Sequence, residues 1–490
     1  MPTQDNQSRF GPKRYRMFTH EQLDEVHLAS LEVLRRTGVR VYESEALALL
    51  QEAGCHVTDE NLVRFPATVI EDALLSVPAR VVLSDRTGKP CMYLEGNRTY
   101  FGTGSDLPNT LDLVSGERRP SLLSDVKNTA RLVDYLPNLD FAMSMALPSD
   151  VPKKTSDRHS FLAMVENTTK PIVFTAWDED GLVDIITMAQ IVAGGAEKLA
   201  ISPFMLAYLE PSSPLRHSEV ALRKLLLMAD HGLPFVYAPG PLEGASAPVT
   251  SAGSLVMANA EVLSGLAIAQ LRRRGTPFVW GSGSGPLDMH TMVGVYGAPE
   301  FMLHCLAMSE LAHEYYHVPV WGFAGCSDAK RPDIQAGIES ALWILWAAIS
   351  GANLVHDVGY IESGLTCSYE MMVICDEVIG FVKRLMEGID LSPASLALDV
   401  IDKVGPGGDY LGDVHTLRHF KETWYPRVFD RHTSQAWVKA GKPDATQIAG
   451  GIARAALDSH KPSPLPLATS DALREIIADA ENRLGLIPGL

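Results

Sequence analysis

The sequence predicts an α/β protein: a (β/α)8 barrel over residues 99–390, preceded by an α+β extension (1–98) and followed by a helical extension (391–490). Three observations lead there. Short apolar runs recur eight times, at Tyr100–Gly102, Phe141–Leu147, Ile172–Trp177, Phe204–Leu209, Phe235–Ala238, Phe278–Gly281, Val320–Phe323 and Leu354–His356. Most intervals between them, about 30 to 45 residues long, carry one helical pattern, as in Leu182–Val192, Val220–Met228, Ala258–Leu271, Phe301–Leu311 and Ile338–Ala348. The stretch from Val318 to Gly359 is itself one β-α-β unit, two short apolar runs joined by a helix-length one. Eight such units suit a closed barrel, whereas open doubly wound sheets more often have five to seven strands.

The elements follow in order. Thr19 is placed to cap a helix that aligns Leu23, Val26, Leu31 and Leu34 on one face, and Gly38 stops it. A strand is expected at Val39–Tyr42 and a helix from Ser44, with Pro66 in the first turn of the next helix. Val81–Leu83 and Met92–Leu94 flank Asp85-Arg-Thr-Gly88 as a hairpin. The polar Arg9–Arg16 arm is expected either to be disordered or to reach a neighbouring subunit. Beyond the eighth run, an amphipathic helix from about Glu370 to Glu387 closes the barrel. The glycine-rich loop from Gly405 leads into a helix, Thr433 or Ser434 caps another, and helices near Thr446–Ser459 and Asp471–Leu484 flank the proline-rich Lys461–Pro466.

Composition narrows the function. The 490 residues are 46% hydrophobic and 21% charged, enough for a large core. A formal charge of −17 disfavours a nucleic acid, whose phosphates are bound by Lys and Arg. Cys55, Cys91, Cys305, Cys326, Cys367 and Cys375 include no Cys-x-x-Cys pair and are expected to be free thiols. No signal peptide is apparent at the polar N-terminus, and apolar windows such as Ala341–Ile349 fall short of a membrane span, so a cytoplasmic protein is expected. Helical segments beyond what closure requires point to a homo-oligomer.

Catalytic groups of a barrel gather at the C-terminal ends of its strands. Here those ends offer Gly102–Asp106, Thr175, Trp177, Asp178, Tyr208, Glu210, Tyr237, Glu243, Gly281–Gly285, Asp288, Cys326–Asp333, His356 and Asp357. Aromatics mixed with carboxylates suit an ammonium cage; singly, such residues equally serve to cap loops and pack beneath them. His313-Glu-Tyr-Tyr-His317 matches the H-E-x-x-H zinc pattern, but its place just before a strand assigns it to the opposite face. Gly281-Ser-Gly-Ser-Gly285 is no phosphate loop; it fits an opening where a bulky group approaches backbone. Ser282, Ser284 or Cys326 with His356 as base would be the nucleophilic alternative, although no nucleophile elbow is present.

Ser327-Asp-Ala-Lys330 with Asp333-x-Gln335, the segment Glu362-Ser-Gly-Leu-Thr366, and Gly407-Gly-Asp-Tyr-Leu through Trp424-Tyr-Pro-Arg-Val-Phe-Asp-Arg to Trp437 resemble the trimethylamine:corrinoid methyltransferase family over nearly the whole chain. That resemblance implies a barrel enzyme passing a methyl group from a methylated amine to cobalt, the cobalamin being carried by a separate corrinoid protein and no cofactor being tightly bound by this chain. Founding members carry pyrrolysine near a strand end, corresponding to the Gly325–Ser327 region; this chain has ordinary residues there. It is similar to the members acting on quaternary amines such as glycine betaine. On that basis Trp177, Tyr208 and Phe323 are expected to form the ammonium cage, with Glu210 and Asp328 as counter-charges. Lys330, Arg331 and His356 are expected to hold a substrate carboxylate, Gln335 to orient it, and Asp328 and His356 to be catalytic; no metal ligands are expected. The competing readings are a non-catalytic betaine-binding or corrinoid-docking barrel, a trimethylamine-specific methyltransferase, and an unrelated barrel enzyme using Cys326 or a metal.

Overall fold

The computed structural model describes residues 14–486 and shows a mixed α/β fold. All eight apolar runs become parallel strands or bridges. Ile172–Phe174 pairs with Met205–Leu209, which pairs with Phe235–Tyr237, which pairs with Phe278–Trp280. Trp280 bridges Val320, Trp321–Phe323 pairs with Leu354–His356, and that strand pairs with Tyr100–Phe101. Gly102 then bridges Phe141 and Ala142 bridges Ile172, so the succession of parallel pairings returns to its start. The runs read as unbroken apolar stretches because helices and ring interior bury both faces of each strand. Trp280, Trp321, Phe141 and Tyr237 are among the largest fully buried side chains.

The helices start and stop where local chemistry dictates. Asp178 caps Glu179–Ala193, Ser218 caps Glu219–His231 and Asp333 caps Ile334–Ser350, while Gly194, Gly232 and Gly351 end them in left-handed conformation. Ser251–Arg272 has the length and mean hydropathy (1.4) of a membrane span, which the sequence reading overlooked; 83% of that window is buried inside the protein. The helix His20–Arg36 packs on it.

At the N-terminus, Thr19 and Gln22 form a capping box. Val39–Val41 pairs with Leu62–Arg64 and, in parallel, with Arg216–His217, tying this segment to the ring. The hairpin pairs Val81–Ser84 with Pro90–Leu94. Pro66 is one position earlier than expected, as the cap of Ala67–Ser76. Of the basic arm, Arg14 and Arg16 are ordered against the same chain, paired with Glu314 at 3.1 and 2.7 Å; residues 9–13 lie outside the described residues. Thr433 caps Ser434–Lys439, and Ala445–Ser459 and Leu467–Arg483 end the fold.

Candidate active site

Strand ends and the loops after them enclose a cavity of about 320 Å³ lined by Tyr208, Glu210, Tyr296, Phe301 and Phe323, with Ser213, Ser246 and a wall of glycines. Four aromatic rings and one carboxylate share this space. Phe301 lies 5.0 Å from Phe323 and 5.5 Å from Tyr296, centroid to centroid. Any Cβ on Gly283 would stand 2.4 Å from the Phe323 ring, so the glycine-rich segment does admit a bulky group against backbone, and that group is Phe323.

Glu210 has an exposed surface yet protein on nearly all sides, the mark of a group lining a deep concavity. The Tyr208 hydroxyl donates to its Oε1 at 2.5 Å. Burial pushes the Glu210 carboxyl above its ordinary range, and the Tyr208 bond and Lys224 draw it back. Lys224, absent from the sequence reading, donates to the Ala176 carbonyl at 2.7 Å.

Asp328 lies behind the cavity wall. Its Oδ1 accepts from Tyr296 N and Ser363 Oγ, and its Oδ2 from Gly297 N, all at 2.8 Å. Gln335 donates to Glu339 Oε1 (2.9 Å), whose Oε2 accepts from Ser327 Oγ (2.5 Å) and Asp328 N (2.8 Å). Trp343 Nε1 donates to the Tyr296 carbonyl at 2.8 Å. These motif residues therefore form a relay that fixes Tyr296. Asp328 is correspondingly a positioning residue in this geometry, with its oxygens committed to the loop, and Gln335 orients Glu339 and no cavity group.

The other expected residues are placed elsewhere. His356, 4% exposed, lies beneath the cavity with its ring 4.3 Å from Phe323 and 4.2 Å from Trp321. Its Nδ1–H donates to the Gly322 carbonyl (2.9 Å), leaving Nε2 as an acceptor 3.1 Å from Asp357 Oδ1. Burial lowers the imidazole to about 3 and pushes the Asp357 carboxyl well up, so the site disfavours charge on both groups. A neutral, enclosed ring cannot hold a substrate carboxylate by charge. Asp357 also has φ +75, a strained backbone for this residue. Gly104 is what allows this packing, because a Cβ there would meet Asp357 Oδ1 at 2.2 Å.

Lys330 turns back to the Asp328 carbonyl (2.8 Å) and is exposed, and the Arg331 side chain is 80% exposed near Asp333. Neither lines the cavity, because the loop after Phe323 carries both outward. Trp177 is 43% exposed; its indole N–H donates to Ser156 Oγ (2.8 Å) and its ring faces Lys153, in a separate depression with Asp106, Thr175 and Lys224. Tyr237 is buried between its strand and the helix Ser251–Arg272, its ring against Gly265 and its hydroxyl 2.6 Å from His217.

The nucleophilic alternatives lose their partners. Ser282 bonds His304 Nε2 at 2.8 Å, but His304 Nδ1 has no partner among the described residues to orient it, and Ser284 bonds Ser254. Cys326 is fully buried and its thiol is pushed well up by burial, the reverse of a reactive thiolate. His313 and Glu314 lie in a π-helical turn, Leu311–Tyr315, with His313 Nε2 bonded to the Gly351 carbonyl and Glu314 committed to Arg14 and Arg16.

Comparison with known proteins agrees with the motif resemblance. Residues 4–485 match the family model described as trimethylamine methyltransferase (MTTB). The chain is 31% identical over 474 residues to the trimethylamine methyltransferase MttB of Desulfitobacterium hafniense, covering 96% of this chain and 95% of the relative. It is 29% identical to a glycine betaine methyltransferase of Desulfitobacterium hafniense, covering 96% and 98%. Among solved structures, the monomethylamine methyltransferase MtmB of Methanosarcina barkeri superposes with a TM-score of 0.55 at 13% identity, covering 93% of this chain and 90% of that one, a likeness of fold. On the family match across nearly its whole length, the chain belongs to the trimethylamine methyltransferase family.

Proposed function

We propose that this chain moves a methyl group from a quaternary amine, betaine-type in the first instance, to the Co(I) of a cobalamin carried by a separate corrinoid protein. The observation that carries the reading is the cavity in which four aromatic rings and Glu210 converge. Rings attract a quaternary ammonium through their quadrupoles, and a carboxylate adds its charge. The reading takes the cyclic run of parallel strands as a (β/α)8 barrel with its mouth at this cavity, and residues 1–98 and 391–490 as its extensions.

The cobalt, a substrate here, supplies two electrons; the methyl–nitrogen bond breaks, its electron pair stays on nitrogen and neutral tertiary amine leaves. A quaternary nitrogen needs no prior activation, in keeping with ordinary residues at Gly325–Ser327. This chain's work is then orientation and exclusion of water. Ring faces hold the ammonium with one methyl toward the mouth, and entry of the cation favours the ionised form of Glu210. Because positive charge leaves nitrogen as the methyl departs, Glu210 strengthens binding more than it lowers the barrier. With Lys330 and Arg331 turned outward, a betaine carboxylate would be met by the Ser246 hydroxyl and the glycine-wall backbone.

The test mixes purified protein, Co(I) cobalamin or the cognate corrinoid protein, and glycine betaine, proline betaine, carnitine or trimethylamine, and follows the cobalt absorbance. Methylation from a quaternary amine and none from trimethylamine is expected. Methylation from trimethylamine alone refutes the quaternary reading, and none from any amine favours a binding protein.

A further inference from the structure

Four glycines stand in the cavity wall, and the protein itself accounts for three of them. Gly283 makes room for the Phe323 ring, a Cβ on Gly285 would meet Phe301 Cδ1 at 3.0 Å, and one on Gly294 would meet Leu242 Cδ2 at 3.1 Å. Gly240 is different. It is exposed, and a Cβ there would find nothing nearer than the Gly283 carbonyl oxygen at 3.7 Å, an ordinary contact with another residue of the same wall. Its φ is not left-handed, so a residue with a side chain can adopt its backbone. Nor is it a hinge, because Pro239 and Pro241 enclose it and restrict the chain on both sides. Handedness, clearance inside the protein and flexibility are the structural reasons for a glycine, and none applies at this position. What the missing side chain leaves free is room in the cavity.

We infer that Gly240 is a specificity-determining position: the absent side chain keeps this part of the wall open for the non-reacting end of the amine, and the residue at 240 sets how bulky an end is admitted. The inference rests on the quaternary-amine reading above and adds to it where the end opposite the departing methyl lies. Two donors suit an end that carries oxygen, a carboxylate or a hydroxyl. The Gly240 N–H donates to no backbone carbonyl among the described residues, and Ser246 Oγ accepts from Leu242 N at 2.9 Å, which leaves its own proton to give. Pro211, Pro239 and Pro241 stiffen this side of the cavity before anything binds, so the wall has little means of yielding to a larger residue.

Calorimetric titration of the purified full chain tests it with a series whose non-reacting ends grow: tetramethylammonium, glycine betaine and carnitine. Gly240→Ala and Gly240→Val add a methyl and an isopropyl group where the protein offers no obstruction, so both are expected to keep the wild-type circular dichroism spectrum and melting temperature. Gly240→Val is expected to hold tetramethylammonium within about threefold of the wild type and to lose about tenfold or more for carnitine, with Gly240→Ala between. A folded Gly240→Val that binds every amine as the wild type does overturns the inference. So does one that weakens the whole series equally, since the cavity itself would then have closed. A wild type that binds no quaternary amine overturns the reading beneath it, so the two failures are told apart. A second readout needs no size series: the thiol of Gly240→Cys, exposed where five of the six native cysteines are buried, is expected to react with a methanethiosulfonate reagent, and several-fold more slowly in saturating glycine betaine. Labelling unaffected by a betaine that the protein binds places the amine away from position 240 and overturns the inference as well.

Discussion

Replacing Asp328 tests whether the motif residues act through Tyr296. The Asp328 carboxylate accepts three hydrogen bonds, from Tyr296 N, Gly297 N and Ser363 Oγ. Hydrogen bonds to a charged group contribute about 1.5 to 3 kcal/mol each, but they share one carboxylate and are not additive. Asp328→Ala leaves two half-buried backbone N–H groups for water to satisfy, so local stability should fall by about 3 kcal/mol. Since 1.4 kcal/mol is tenfold, amide exchange in peptides spanning residues 293–300 should accelerate by about a hundredfold. Asp328→Asn keeps one acceptor oxygen and should lose less, and Ser363→Ala should lose about 1 kcal/mol. Hydrogen exchange read by mass spectrometry is the assay, with the peptide around Tyr237 as an internal reference. If Asp328→Ala leaves exchange at 293–300 unchanged, the relay does not hold the cavity wall and the positioning role is wrong.

Glu210→Gln should raise KM for a quaternary amine about tenfold with kcat changed less than about threefold, a split that initial-rate kinetics reads directly; an equal fall in kcat and kcat/KM would place Glu210 in the barrier. Lys330→Ala and Arg331→Ala should leave kcat/KM within about twofold, since exposed groups away from a cavity seldom matter; a loss of a hundredfold in either would restore the carboxylate-holding role. Buried Glu261, whose carboxyl accepts from Ser213 and Leu215 N, is raised by burial to about 7 from an ordinary 4.5. The folded state therefore keeps a proton that the unfolded state loses first, so this group's contribution is full below about pH 4.5 and disappears as pH rises through about 7, some 3 kcal/mol in all. Denaturation midpoints at pH 5 and 8 should differ in the wild type, and the difference should shrink in Glu261→Gln. Cys326→Ala should retain methyl transfer, as burial keeps that thiol protonated; its loss in a folded variant would reopen the nucleophilic mechanism.

What the sequence disclosed and what it withheld divide along physical lines. All eight strand positions were legible because segments enclosed on both faces need unbroken apolar runs, and caps such as Thr19 and Thr433 because their chemistry is local. Tyr208, Glu210 and Phe323 were legible as cavity residues because they sit at strand ends, where direction follows from the strand. Lys330, Arg331 and Trp177 share that address but sit in loops, where no periodicity tells which way a side chain turns. Tyr296 and Phe301 were missed as lining because they follow a long glycine-rich connection, and only the fold shows Asp328 and Trp343 folding that connection over the mouth. His356 was read as charged because burial, which neutralises it, is a property of the surroundings.

The turn at Leu311–Tyr315 changes the meaning of five letters. Tyr316 N donates to the Leu311 carbonyl, five residues back, so this stretch winds more widely than an α-helix. In an α-helix, residues four apart rise almost one above the other and can close on a single ion. The turn ends at Tyr315, and His317 lies beyond it in left-handed conformation (φ +58), so the two imidazoles of the zinc-like pattern part: His313 points inward to the Gly351 carbonyl, while His317 stays outside, bonded to the His313 carbonyl. A chelating pattern becomes a fastener, with Glu314 gripping Arg14 and Arg16 and His313 tying the end of the following helix.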